Sequence, residues 1–137
     1  DEVQYADAVA DKATVCMEGI MQSHPEGLAI IACHNDDCAI AAARAAANNP
    51  AYAKTIFIGF DGNITAAQSI LDGGETMTVA QSGYDQGYQA VKTVVAHLNG
   101  EKVESFVDCG TKVIDSTTAE DYMATLKSQM DGKAVAQ

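Results

Sequence analysis

The sequence predicts an α/β fold, a three-layer αβα sandwich on a mostly parallel sheet, and three observations carry that prediction. Short apolar runs alternate with amphipathic stretches along most of the 137 residues, the pattern of strands joined by crossover helices. The runs at 28–33 and 55–60 are continuously apolar, as strands covered on both faces are. Each run then turns polar before a helix-like segment: His34-Asn35-Asp36-Asp37 follows the first, and Asp61-Gly62-Asn63 the second. Ligands of open α/β sheets bind at the carboxyl ends of the strands. Two adjacent polar strand ends therefore mark the candidate site.

In chain order, a first helix is predicted over 8–23, where Val9, Ala13, Cys16, Met17, Ile20 and Met21 recur at steps of three and four. Pro25 and Gly27 stop it. After the strand at 28–33, Asp36 reads as the cap of a second helix. Its Ala39, Ile40, Ala43 and Ala47 form a narrow stripe suited to close packing on a sheet. Asn48-Asn49-Pro50 ends that helix. The strand at 55–60 leads to a short helix marked by Ile64, Ala67, Ile70 and Leu71 and closed by Asp72-Gly73-Gly74.

A third strand is expected at 76–81. Ser82 or Gly83 then opens a helix carrying Tyr84, Tyr88, Val91, Val95 and Leu98, which Asn99-Gly100 ends. Residues 103–107 and 111–114 are strand candidates around Cys109-Gly110. Thr117 or Thr118 caps a last helix with Tyr122, Met123, Leu126 and Met130 facing in. The tail from Asp131 reads as small, polar and frayed.

A chain of this length fits one domain with a real core. Its net charge of −11 argues against nucleic-acid and anionic-membrane binding, both of which need clustered Lys and Arg. Cys16, Cys33, Cys38 and Cys109 are too few and too irregular for a disulfide framework, and the Cys33–Cys38 spacing matches no zinc or redox motif. They read as small buried hydrophobes. No apolar run approaches the ~18 residues of a membrane span. The opening Asp1-Glu2 reads as the start of a mature or trimmed protein rather than of a signal peptide.

From about Ala6 to Ile114 the sequence resembles the carboxyl-terminal half of the type 1 periplasmic sugar-binding proteins, the ribose-binding group especially. The matching pieces are His24-Pro25, Ala32-Cys33-His34-Asn35-Asp36, Ile58-Gly59-Phe60-Asp61-Gly62, Val79-Ala80-Gln81 and the helix end Leu98-Asn99-Gly100-Glu101-Lys102-Val103. Each is weak alone, while their order and spacing together are specific. The resemblance implies two α/β lobes that close like a jaw on a sugar, with residues 1–137 forming one lobe, a fragment of the two-lobed whole. Residues 82–109 would cross to the missing amino-terminal lobe. The apolar face of the 84–98 helix would then lack a partner, an invitation to self-association.

The resemblance also assigns the site. Asp61 matches a family carboxylate that accepts hydrogen bonds from two sugar hydroxyls, a task suited to an acceptor-only group with room for several donors. Its alternative is a turn-capping Asp before a helix, and the strand-end location favours binding over that role. Asn35 matches an asparagine whose amide both donates and accepts; its plainer role is that of a turn residue. Gln81 sits where the family places a ligand-contacting Gln at the hinge, although a polar residue ending a strand is more often structural. Asp36 reads as a helix cap before a ligand, and His34 as incidental to its turn.

The family's sugar-stacking aromatic has no counterpart in the aligned Ala8-Val9-Ala10. Either Tyr5, the nearest aromatic, substitutes, or the ligand is smaller or differently shaped.

Three functions compete. The first is the solute-binding component of an ABC-type importer. It binds a sugar or polyol without chemistry, is recognised when closed by a membrane permease, and is exported to the periplasm or held outside the cell as a lipoprotein. The second is the effector-binding core of a lactose-repressor-type regulator, whose basic helix-turn-helix this chain does not contain. The third is a phospho-acceptor module in which Asp36, Asp37 and Asp61 hold Mg²⁺, although Asp37 and Asp61 lie too close in sequence for that fold. His24, His34 and His97 show no metal-ligand spacing, no phosphate-binding glycine motif occurs, and no cofactor is demanded.

Overall fold

A computed structural model describes residues 2–132. Helix α1 (Ala10–Ser23) leads to strand β1 (Ile30–Ala32), helix α2 (Asp36–Ala46), a 3-10 turn (Pro50–Tyr52) and strand β2 (Ile56–Asp61). Helix α3 (Ile64–Leu71), strand β3 (Met77–Gln81), helix α4 (Gly83–Leu98), strand β4 (Thr111–Asp115) and helix α5 (Ala119–Met130) follow. The sheet order is β1-β2-β3-β4, with β1, β2 and β3 parallel and β4 antiparallel to β3. This is the mixed, mostly parallel α/β class expected. The residues of the expected tail beyond Gly132 lie outside the described residues.

Register and pleat put Phe57, Gly59, Thr78, Ala80 and Ile114 on one face of the sheet, all buried. Met17 of α1 and Ala42, Ala43 and Ala46 of α2 pack there with Tyr52 and Phe57. Ala67 and Ile70 of α3 and Ala119 of α5 close over Ala80 and Ile114. The small side chains let α2 sit close to both α1 and β2, and six of its apolar residues are buried alongside Asp36 and Cys38. The stripe is therefore wider than Ala39, Ile40, Ala43 and Ala47, and Ala47 itself is exposed.

The opposite face carries Ile30, Ile56, Ile58, Phe60, Met77, Val79 and Val113, all half-buried or exposed, with Ile30 at 54% and Val113 at 53%. The second helical layer of a three-layer sandwich would lie there.

Several local expectations are corrected. Residues 103–107 form no strand. β4 already pairs with β3, and an isolated extended run with no ladder to join gains nothing from its Val and Phe; Phe106 is 78% exposed. Asn35, not Asp36, caps α2: its extended backbone lets its Oδ1 accept from the Cys38 N–H at 3.0 Å. Thr118 precedes α5 without a side-chain cap bond. Met130 is exposed rather than facing in, and Cys38 is the one buried cysteine among the four.

Candidate functional site

The carboxyl ends of β1 and β2 are adjacent because the strands are parallel and in register, Ala32 opposite Ile58. Asn35 leaves β1 as the cap of α2, and its Nδ2 donates to the Ala8 carbonyl at 3.4 Å. Asp61 ends β2 exposed to solvent at a φ of 109°. That left-handed backbone is costly for a residue with a side chain. Gly62 follows at φ 74°, where any Cβ would overlap Ala80. The turn is thus pressed against β3 by its one side-chain-free position.

Asp61 is held from β3. Gln81 Nε2 donates to Asp61 Oδ1 at 2.6 Å, and Gln81 Oε1 accepts from Gln86 Nε2 at 3.3 Å. Both residues line an open cleft of about 880 Å³ together with Ser82, Tyr84, Thr111 and Tyr122. Asn35 does not line it; it stands on the β1 side of Asp61. His34 is exposed. Tyr5 is 83% exposed and precedes the segment whose Ala8 carbonyl meets Asn35.

Asp36 is turned inward instead of toward a ligand. It is fully buried, its Oδ1 accepting from Thr78 Oγ1 at 2.6 Å and its Oδ2 from the Asn63 N–H at 2.8 Å. It thereby ties the turn after β1 to the turn after β2. Burial pushes its carboxyl up, and the Thr78 and Asn63 hydrogen bonds oppose that rise. With both oxygens engaged inside the fold, the magnesium arrangement loses one of its three carboxylates. On the far side, the Tyr122 hydroxyl donates to the Gly62 carbonyl at 2.6 Å.

Sequence reasoning missed three of these supports. Asn63 caps α3 through Oδ1, accepting from the Ala66 N–H at 2.8 Å; an Asn before a helix is a readable signal. The Thr78–Asp36 and Tyr122–Gly62 bonds span long sequence separations and leave no local trace. Nor does Glu75, which is 1% exposed beside Asp36 and Gly59.

These elements define the class: one α/β lobe that presents a polar, acceptor-rich edge at the carboxyl ends of parallel strands. The family follows from comparison. Residues 1–102 match the model of the periplasmic binding protein domain, and the chain belongs to that family. It is 36% identical over 110 residues to the ribose import binding protein RbsB of Bacillus subtilis, covering 80% of this chain and 35% of that one. Among solved structures it is similar to an ABC transporter solute-binding protein from Mycobacterium smegmatis with bound glycerol. The TM-score there is 0.72 at 31% identity, covering 86% of this chain and 41% of that one. A second, from Agrobacterium vitis with bound D-fucose, gives a TM-score of 0.78 at 28% identity, covering 91% of this chain and 43% of that one. The chain spans about a third of the length of the curated relatives it matches. These relatives are transport binding proteins, which favours the importer reading over the regulator and the phospho-acceptor.

Proposed function

We propose that this chain is the carboxyl-terminal lobe of the solute-binding component of an ABC-type importer. It takes a sugar or polyol between Asn35, Asp61 and Gln81 and does no chemistry on it. The observation that carries this reading is Asp61: an exposed carboxylate at the carboxyl end of a parallel strand, oriented by a neutral amide that leaves its second oxygen free for hydroxyl donors. Asn35 Nδ2 keeps a second N–H for a ligand oxygen. The relatives with bound glycerol and D-fucose support a polyhydroxylated ligand.

In this reading residues 82–109 cross to a second lobe. The supporting feature is α4, which has no buried residue and exposes Tyr88 at 55%, Val91 at 67% and Leu98 at 78%. Without that lobe the stripe pairs with a second copy, so light scattering on residues 1–137 at micromolar concentrations gives a mass above the monomer; a monomer throughout overturns the self-association. The whole protein works outside the cytoplasm, in the periplasm or as a lipoprotein, and delivers its ligand to a membrane permease.

The test is a thermal-shift screen of the full-length protein against sugars, polyols and nucleosides. A sugar or polyol that raises the unfolding temperature in wild type and not in Asp61→Ala supports the assignment. A panel with no such compound overturns it.

A further inference from the structure

Beneath the candidate site lies a pair of carboxyl groups that ligand binding does not use. Glu75, just before β3, is 1% exposed, and Asp36, at the start of α2, is 0% exposed. They meet over Gly59, whose missing side chain makes room for them: a Cβ there would overlap both Glu75 Oε1 and Asp36 Oδ1. Neither oxygen of Glu75 has a well-formed hydrogen bond, the Gly59 backbone and the Asp36 carboxyl being the polar groups beside it, and no cation pairs with either acid among the described residues. Ionised carboxylates only accept, so two of them facing each other in a dry interior repel and leave lone pairs unsatisfied. A single proton between them removes both penalties, because the protonated acid donates to its neighbour.

We propose that Asp36 and Glu75 share one buried proton at neutral pH, and that this proton fixes the Asp61–Asn63 turn through Asp36. Asp36 is the relay because its Oδ2 accepts from the Asn63 N–H and its Oδ1 from Thr78. With the proton in place, Asp36 stays seated over Gly59. Without it, Glu75 pushes Asp36 away from the turn. Glu75 is thus a positioning residue for the site.

The direction of titration agrees: burial, and after it the charge of Asp36, raise the Glu75 carboxyl to about 8. The other titratable groups facing the pair are Cys33 after β1, Asp61 at the end of β2 and Tyr122 of α5. Burial pushes the Cys33 thiol up to about 11 and raises the Tyr122 phenol as well. Neither thiol nor phenol changes charge between about pH 5 and pH 9.

The turn matters to the ligand only if Asp61 receives it as proposed above, whereas the test is made without ligand, so failure of either idea shows in a different experiment. In an NMR titration of the protein with carboxyl-labelled glutamate, the Glu75 carboxyl carbon is expected to titrate near 8. The Asn63 amide proton is expected to shift with the same midpoint. Glu75→Gln, whose amide donates to Asp36 at every pH, removes the Asn63 transition. A Glu75 midpoint in the ordinary carboxylate range, or an Asn63 amide that does not follow it, overturns the proposal. Should Glu75→Gln fail to fold, the two wild-type midpoints alone decide.

Discussion

Helices α2 and α4 are both amphipathic by sequence, yet eight of the eleven residues of α2 are buried and none of the sixteen of α4 is. The difference lies in what each face meets. α2 is bracketed by α1 and the sheet, and its alanines let backbones approach closely enough to bury almost the whole helix. α4 carries larger residues, Tyr88 and Val91 among them, and its stripe is left uncovered among the described residues. Periodicity states that a face wants burial; it does not state who supplies the partner.

This contrast sets the size of mutational effects. The largest is expected in the α1–α2–β2 core. Met17 is 1% exposed against Tyr52 and Phe57, so Met17→Ala costs about 3 kcal/mol in urea unfolding. A loss under about 1 kcal/mol would mean that this core is loosely packed.

Next comes Gly59→Ala, whose methyl would overlap the carboxyls of Glu75 and Asp36. Overpacking at a point where two acids already meet costs about 2 kcal/mol. A neutral result in the same assay would show the two acids free to move apart.

The third effect is pH dependence. A Glu75 carboxyl at about 8 in the fold, against an ordinary 4.5, means that the folded state holds a proton which the unfolded state releases. Stability from this group is full below the unfolded value, declines as pH rises toward about 8, and is flat above it. The unfolding temperature is expected to fall across that window in wild type. Glu75→Gln should not show that decline; a variant that reproduces it would assign the effect elsewhere.

The smallest effect belongs to α4. Val91→Ser at a 67% exposed position changes the stability of residues 1–137 by less than about 0.5 kcal/mol where they are dilute enough to be monomeric. In the full-length protein, where a second lobe would cover the stripe, it costs about 1 kcal/mol or more. Equal small effects in both would leave α4 without a partner in either.

The same contrast separates what was legible from what was not. β2 and β3 were readable because their apolar runs end at turn residues, and α4 because its stripe and its Ser82 and Asn99-Gly100 ends are local signals. Asn35, Asp61 and Gln81 were proposed from strand-end position and resemblance, and the Asp61–Gln81 bond joins two of them across adjacent strands. Residues 103–107 misled because strand propensity does not reveal whether a partner strand exists. Asn35 and Asp36 are both good caps by type; only the extended backbone at Asn35 separates the cap from the buried acid. Glu75 was invisible because a charged residue after Gly73-Gly74 looks like an exposed turn, and its burial depends on Gly59 and Asp36, 16 and 39 residues away.

The central claim, that Asp61 receives a polyhydroxylated ligand, is tested most directly by calorimetric titration. The full-length protein and its Asp61→Ala variant would be titrated with the sugar or polyol that gives the largest thermal shift. Removing two hydrogen bonds to an ionised acceptor costs about 3 kcal/mol or more, so Kd is expected to rise more than about 100-fold, with the ligand-free unfolding temperature little changed. Equal Kd values for the two proteins would contradict the account and return Asp61 to the role of a turn residue.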